Sequence, residues 1–208
     1  MTRILLIDDH AVVRAGYRRL LECAPAYTVV AEAASAAAGY RRFLECQPDV
    51  VITDLSLPGV GGIELLRRLR VRSPNLRALA FSVHEEPVFV ERAFAAGALG
   101  YVSKRSAPDT LIAAVDAVAH GREFLSADVA HYRQIGQQSG DGLRTLSQRE
   151  FEIFRQIAEG RSVREIADGL CISGKTVSNH YSQIRNKLGL RSAAELARLA
   201  ITVGVVRV

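Results

Sequence analysis

Cysteine is scarce in this 208-residue chain, which holds three: Cys23, Cys46 and Cys171. They are isolated, odd in number and without metal-binding spacing, so they argue against a disulfide framework or a zinc knuckle and are expected to be reduced packing residues. Long apolar runs are also missing. No stretch has the length a membrane span needs, and no charged-then-apolar leader with a cleavage site opens the sequence. The expectation is a cytoplasmic protein with no membrane partner. Disorder is excluded from the other side, because 49% of the residues are hydrophobic, enough for one large or two small cores.

Charge is present but unevenly spread. Residues 1 to 120 carry 14 Lys and Arg against 13 Asp and Glu, residues 121 to 172 carry 7 against 8, and residues 173 to 208 carry 6 against 1. The net charge of +5 therefore lies in the last stretch, as expected if that end alone meets a polyanion.

Up to about residue 120, apolar β-branched runs alternate with amphipathic stretches. Strands are expected at 3–7, 28–33, 49–53, 77–81 and 100–102, with helices at 11–23, 36–46, 62–72, 88–96 and 108–120 between and after them. Five strand-then-helix repeats imply a doubly wound, five-stranded parallel sheet with right-handed crossovers. Two of these strands end in carboxylates. Ile4-Leu5-Leu6-Ile7 runs into Asp8-Asp9-His10, and Val50-Val51-Ile52-Thr53 runs into Asp54 before breaking at Pro58-Gly59. Ligands of such sheets bind beyond the carboxyl ends of the strands, so the three carboxylates are expected together there. Any one alone is as readily a strand-end turn former. Together they repel one another, which a bound cation or a raised pKa relieves. Mg²⁺ is the expected cation, since it takes oxygen ligands and keeps several waters.

Residues 1 to 120 resemble the flavodoxin-like receiver domain of two-component response regulators. Five separated features carry the resemblance: Asp8-Asp9 after the first strand, Asp54 after the third with Leu57-Pro58-Gly59 behind it, Ser82 ending the fourth, Tyr101 in the fifth, and Lys104 following it. The resemblance implies that Asp54 is the phosphoacceptor for a phosphohistidine of a sensor histidine kinase. It implies that Asp9, Asp54 and the backbone carbonyl of Ser56 hold Mg²⁺, with Asp8 acting through water. Lys104 would supply compact positive charge, Ser82 would donate to a phosphoryl oxygen, and Tyr101 would swing inward as a switch. The face from about Pro87 to His120 would carry the signal, and Glu85-Glu86 read as a helix start with acidic residues at its positive end.

Residues 121 to 144 include Gly136 to Gly142 in one polar run and read as a linker. A short helix from Ser126 to about Ile135 is expected within it, with Ser126 as its cap candidate. Residues 145 to 208 show four helical stretches and no strand signal. Ser147-Gln148-Arg149-Glu150 is a capping-box pattern that opens the first. Gly169-Leu170-Cys171-Ile172-Ser173-Gly174-Lys175-Thr176 fits the phosphate-loop pattern G-x-x-x-x-G-K-T. A working loop needs a strand to enter it, and the residues before it have helical spacing. The alternative is a helix-turn-helix with residues 171 to 174 as its turn.

This small all-α region resembles the LuxR-type domain of NarL/FixJ-class regulators, through Leu146 to Glu150, Glu165-Ile166-Ala167, Lys175-Thr176-Val177 and Lys187-Leu188-Gly189. Its third helix pairs an apolar stripe, Val177, Tyr181, Ile184 and Leu188, with a polar face of Lys175, Ser178, Asn179, Ser182 and Asn186. Such a face suits the major groove of double-stranded DNA, with Lys175, Arg185 and Lys187 on phosphates. By the resemblance, Ser178, Asn179 and Ser182 are the base-reading candidates, and Thr176 lies within the matching motif. Tyr181 stands where the family commonly has an aliphatic residue. The last helix, with Ala194, Ala197, Ala200 and Ile201, is either core or a dimer contact. The expectation is a DNA-binding transcriptional regulator, not an enzyme, phosphorylated on Asp54 and dimeric when phosphorylated. A phosphorylation-independent regulator is the nearest rival; an aspartyl-phosphate hydrolase or an ATPase is the rival from another class.

Overall fold

The computed structural model describes residues 1–130 and 141–206. They fall into two compact units, the first within residues 1–130 and the second within residues 141–206.

The first unit is a parallel sheet flanked by helices. Its elements are β1 (Thr2–Ile7), α1 (Ala11–Glu22), β2 (Tyr27–Ala33), α2 (Ala36–Cys46), β3 (Val50–Thr53), α3 (Gly62–Arg72), β4 (Ala78–Ser82), α4 (Pro87–Ala95), β5 (Gly100–Ser103), α5 (Pro108–Ala119) and β6 (Phe124–Leu125). The strand order is β2-β1-β3-β4-β5-β6, with every neighbouring pair parallel. The continuous apolar runs of β3, β4 and β5 are buried along their whole length, as strands covered on both faces must be. Ile4, Leu6, Ile52, Leu79, Phe81 and Val102 meet Leu111, Val115 and Val118 of α5 in one core. β2 and β3 leave β1 on opposite sides, so the strand order reverses there, and the ends of β1 and β3 open onto the crevice this reversal leaves.

The sheet has six strands where five were expected. β6 lies beside β5, with Gly100 opposite Phe124 and Tyr101 opposite Leu125. Two residues cannot display an alternation, which is why this strand left no pattern in the sequence. It falls in the stretch expected as linker. The Ser126 hydroxyl accepts the Ser103 N–H at 3.3 Å, and its carbonyl accepts from Val129 and Ala130 as residues 127–130 turn helical. The remainder of the helix expected to Ile135, and most of the polar run from Gly136, lie outside the described residues.

The second unit has no strand among its described residues. It comprises α6 (Asp141–Arg144), α7 (Gln148–Ala158), α8 (Val163–Gly169), α9 (Gly174–Leu188) and α10 (Ala193–Thr202). The expected capping box opens α7: Glu150 N–H donates to Ser147 Oγ at 3.2 Å, and Ser147 N–H donates to Glu150 Oε2 at 2.6 Å. A second box, Ser162 with Glu165, opens α8. Ser173 caps α9 by accepting the Thr176 N–H at 3.1 Å, and Gly189, at φ 65°, ends it. Leu146, Phe151, Phe154, Ile166, Val177, Ile184 and Leu196 form the core.

Candidate functional site

The β1 and β3 ends lie in register, with Ile7 opposite Thr53, so the residues just beyond them emerge side by side. Asp54 N–H donates to the Ile7 carbonyl at 2.8 Å, which fixes the carboxylate's root against the end of β1. Asp8 and Asp54 are 2% and 3% exposed, deep burial for two acids. What compensates them is Lys104, just past β5. Its ammonium donates to Asp8 Oδ2 at 2.6 Å and to Asp54 Oδ2 at 2.7 Å. Burial pulls the Lys104 pKa down, but the hydrogen bonds and charges of Asp54 and Asp8 outweigh it and hold it above its ordinary value of 10.5. Lys104 N–H also donates to the Ser82 carbonyl at 2.8 Å, tying the β5 end to the β4 end. Nearby, burial raises the pKa of Tyr17, whose ring meets Phe81 edge-on.

The second oxygen of each buried acid is held by backbone. Asp8 Oδ1 accepts the His10 N–H at 2.8 Å, and Asp54 Oδ1 accepts the Ser56 N–H at 2.9 Å. Asp9 is half-buried. Its Oδ1 lies 3.0 Å from the His10 ring nitrogen, but not in hydrogen-bonding geometry, so the atom is buried without a hydrogen-bond partner. One ligand atom from each of Asp8, Asp9, His10 and Asp54 lies within 4.8 Å of the others. Carboxylate oxygens at that spacing, one of them unsatisfied, form a donor set that fits a hard divalent cation such as Mg²⁺.

Ser82 is fully buried, and its hydroxyl accepts the His84 N–H at 3.2 Å. Tyr101 is fully buried as well, with its hydroxyl donating to the His84 carbonyl at 2.5 Å. The residue expected to swing inward thus already occupies an interior position. Glu85, read as a helix-start acid, instead accepts from the Ser103 hydroxyl at 2.7 Å, a contact between two loops that sequence spacing does not reveal.

Gly62 is a further residue that sequence reasoning missed. A Cβ built there falls 2.0 Å from the Asp54 carbonyl oxygen and 2.8 Å from Leu55 Cα. The first turn of α3 therefore lies directly on the backbone of the acid-bearing loop, and only glycine permits that approach.

On α9, Val177 and Ile184 are fully buried and Tyr181 and Leu188 half-buried, as the apolar stripe requires. Lys175, Ser178, Asn179, Ser182 and Asn186 are all exposed. The Ser178 and Ser182 hydroxyls donate back to Gly174 and Ser178 carbonyls at 3.0 and 3.1 Å. Thr176 is half-buried, its hydroxyl 2.8 Å from Ser173 Oγ. Two of the three cations expected on phosphates are engaged within the domain. Lys187 donates to the buried Glu150 carboxylate at 2.7 Å, and Arg185 donates to the Leu190 and Arg191 carbonyls at 3.3 and 2.7 Å. The phosphate-loop pattern is the turn of a helix-turn-helix: α8 enters it, Cys171 adopts φ 52°, and α9 leaves it. In α10, Leu196 and Ala200 face the core, Ala197 is half-buried, and Ala194 and Ile201 are exposed.

Residues 4–116 match the response regulator receiver domain, and residues 144–200 match the bacterial regulatory proteins of the luxR family. The chain belongs to the two-component response regulators with a LuxR-type DNA-binding domain. It is 41% identical over 210 residues to the transcriptional activator protein ExaE of Pseudomonas putida, spanning 99% of this chain and 98% of that one. It is 39% identical over 198 residues to the transcriptional regulatory protein UhpA of Escherichia coli K12, spanning 95% and 97%. Among solved structures, RcsB of Salmonella enterica serovar Typhimurium, bound to promoter P1flhDC in the presence of the phosphomimetic BeF3-, is similar with a TM-score of 0.66. That similarity has 29% identity and spans 97% of this chain and 99% of that one. This response regulator therefore has the expected fold class, and its relatives are transcriptional regulators. Among its described residues no helix is long and apolar enough to cross a membrane.

Proposed function

We propose that Asp54 is the phosphoacceptor of this regulator and that its phosphorylation controls dimerisation and promoter binding. The observation that carries the reading is the Lys104 ammonium bound to both Asp8 and Asp54 at the point where the strand order reverses. In the transfer, an Asp54 carboxylate oxygen attacks the phosphorus of a phosphohistidine on a sensor histidine kinase. The P–O bond forms as the P–N bond breaks, and the imidazole leaves. Such transfers are governed by positioning and by neutralisation of charge on the equatorial oxygens. Asp8, Asp9, Asp54 and the Ser56 carbonyl would hold Mg²⁺, which when bound supplies that neutralisation beside Lys104. Ser82 lies at the β4 end, and its hydroxyl, which accepts the His84 N–H, keeps its own proton to donate to a phosphoryl oxygen.

Phosphorylation adds roughly 1.5 to 2 negative charges, enough to draw Lys104 away from Asp8. Because Lys104 N–H is bonded to Ser82 and its neighbour Ser103 to Glu85 and Ser126, that movement pulls on both flanking loops. Tyr101, between them, acts as the switch through its bond to His84. In the DNA-binding unit, Ser178, Asn179 and Ser182 read base edges in the major groove and Lys175 contacts phosphate. Thr176, Arg185 and Lys187 secure the helix that carries them. The protein acts in the cytoplasm on double-stranded DNA as a homodimer and has no enzymatic turnover. The relative bound to a promoter with a phosphomimetic present supports this reading.

The test compares wild type with Asp54→Ala, measuring DNA affinity and oligomeric mass with and without a small phosphodonor and Mg²⁺. Tighter binding or dimerisation in wild type alone is the expected result. Identical behaviour of the two proteins in every condition overturns it in favour of phosphorylation-independent control.

A further inference from the structure

We infer that the open groove between α2 and α3 of the receiver is a docking site for an acidic, amphipathic helix of another protein. The groove has a volume of about 710 Å³ and is lined from residues 36–41 and 60–71. Buried Leu65 gives it an apolar floor, and Ala36, Tyr40, Val60 and Val71 line it as well. Apolar side chains scattered singly over a surface need no explanation. Here Val60 and Val71, the latter 86% exposed, belong to one groove, which is the pattern of an interaction site. None of the lining residues belongs to the carboxylate cluster, so the inference stands apart from the reading of Asp54.

Charge identifies the occupant. Six of the 14 basic residues in residues 1–120, but only two of the 13 acidic ones, lie on α2 and α3. Arg41, Arg67 and Arg68 rim the groove, and Glu64 is the one acid among its lining residues. Glu64 is already shared, at 3.0 Å from Arg68 and 3.9 Å from Arg67, whereas Arg41 is exposed with no ion pair among the described residues. Guanidinium groups so placed attract carboxylates and hold them by paired hydrogen bonds. An apolar trough with cationic rims therefore matches a helix whose apolar stripe is flanked by Asp and Glu, laid in the groove. The length agrees, since the 11 residues of α3 extend about 16 Å and accommodate about three turns of a partner helix. A nucleic acid would engage the arginines but leave Tyr40, Val60 and Val71 without apolar contacts, because its outer face is phosphate. A second copy presenting the same face would bring like charge to like.

The test measures binding of the unphosphorylated full chain to a fluorescein-labelled peptide of about 15 residues, with Leu at helical spacing and Glu on both flanks of the stripe. A scrambled peptide of the same composition and a version with Lys in place of Glu are measured beside it, with a random-sequence DNA duplex as competitor. Wild type is expected to bind the acidic helix about tenfold or more tightly than either control peptide, and more weakly as salt rises. Val71→Glu and Arg41→Glu are each expected to weaken that binding about tenfold. Val12→Glu and Arg19→Glu make matched changes on α1, where Val12 is 87% exposed, and are expected to leave it unchanged. All four residues are exposed, so each variant is expected to keep the wild-type urea midpoint. No saturable binding by wild type, equal affinity for a control peptide, or equal losses in the α1 variants overturns the inference. Displacement of the peptide by the duplex, with duplex binding weakened in Arg41→Glu, overturns it in favour of nucleic acid. A doubling of mass with concentration that Val71→Glu abolishes overturns it in favour of a second copy.

Discussion

Lys187 Nζ lies 2.7 Å from Glu150 Oε2, joining the last turn of α9 to the first turn of α7. Glu150 is 3% exposed, and its other role is to close the capping box with Ser147. Burial pushes its pKa up, but the bonds from Lys187 and Ser147 prevail and hold it below the ordinary 4.5. A carboxyl with a lowered folded pKa contributes stability that is present above its unfolded value and is lost as pH falls through the folded one. The helical unit is therefore expected to lose stability below pH 4.5. Lys187→Met raises the folded Glu150 pKa toward or past the unfolded one, so the acid-induced loss should shrink. Because Lys187 is 41% exposed, screening limits the cost near neutral pH to about 1 kcal/mol. Urea denaturation of the full chain at a series of pH values, following the helical signal, checks both.

Removing the cation between the two buried acids should have a larger effect. Lys104→Met leaves Asp8 and Asp54 facing each other at low exposure with no counter-charge. The receiver is expected to lose about 3 kcal/mol in the absence of divalent cation, the scale for breaking a buried pair. The same substitution removes a positive charge that competes with a metal ion, so Mg²⁺ should bind more tightly and recover more stability than in wild type. Denaturation with and without Mg²⁺ separates the outcomes; equal Mg²⁺ stabilisation in both proteins would show that Lys104 and the cation do not share these carboxylates.

Gly62→Ala should be among the costliest single-methyl additions in the chain. The new methyl would meet the Asp54 carbonyl oxygen at 2.0 Å, and backbone on both sides has no rotamer with which to yield. Overpacking of this kind costs about 1–3 kcal/mol, and it should displace the Asp54 loop, slowing phosphorylation by a small-molecule donor. Gly59→Ala is the control. It has φ 78° but open space around its Cβ, so it should cost about 1 kcal/mol of backbone strain and leave the α3 contact intact.

The legibility of the fold varied with how local its causes are. β1 and β3 end in acids after unbroken apolar runs, and both the runs and their stopping points are visible in a few adjacent residues. The Ser147 box at α7 is equally local. Ser162-Val163-Arg164-Glu165 has the same spacing and forms the same box, yet it went unread because the helix it opens is short. β6 was invisible because two residues have no period. Gly62 and Lys187 were opaque for another reason: each is defined by a partner brought to it by folding, the Asp54 carbonyl in one case and Glu150, 37 positions away, in the other. Charge alone assigned Lys187 to phosphate, whereas its ammonium is bound to protein.

That difference sets apart the cations of α9 in DNA binding. Lys175 is exposed in the first turn of α9, whereas Lys187 and Arg185 are bonded to Glu150 and to the Leu190 and Arg191 carbonyls. Lys175→Ala should weaken binding to all sequences alike and reduce the slope of log affinity against log salt by about 1. Lys187→Met should leave that slope where it was, because the side chain it removes neutralises Glu150 and not a phosphate. Asn179→Ala should behave differently from both. Its exposed amide, at the centre of the polar face, has the donor and acceptor needed to pair with adenine. Its loss should cost about 1–3 kcal/mol on the preferred operator and relax discrimination at one base position, with the salt slope unchanged. Binding titrations over a salt series on a preferred and a scrambled duplex resolve all three. A drop in slope for Lys187→Met would mean that DNA draws this lysine off Glu150, and the capping box of α7 would then be part of the binding response.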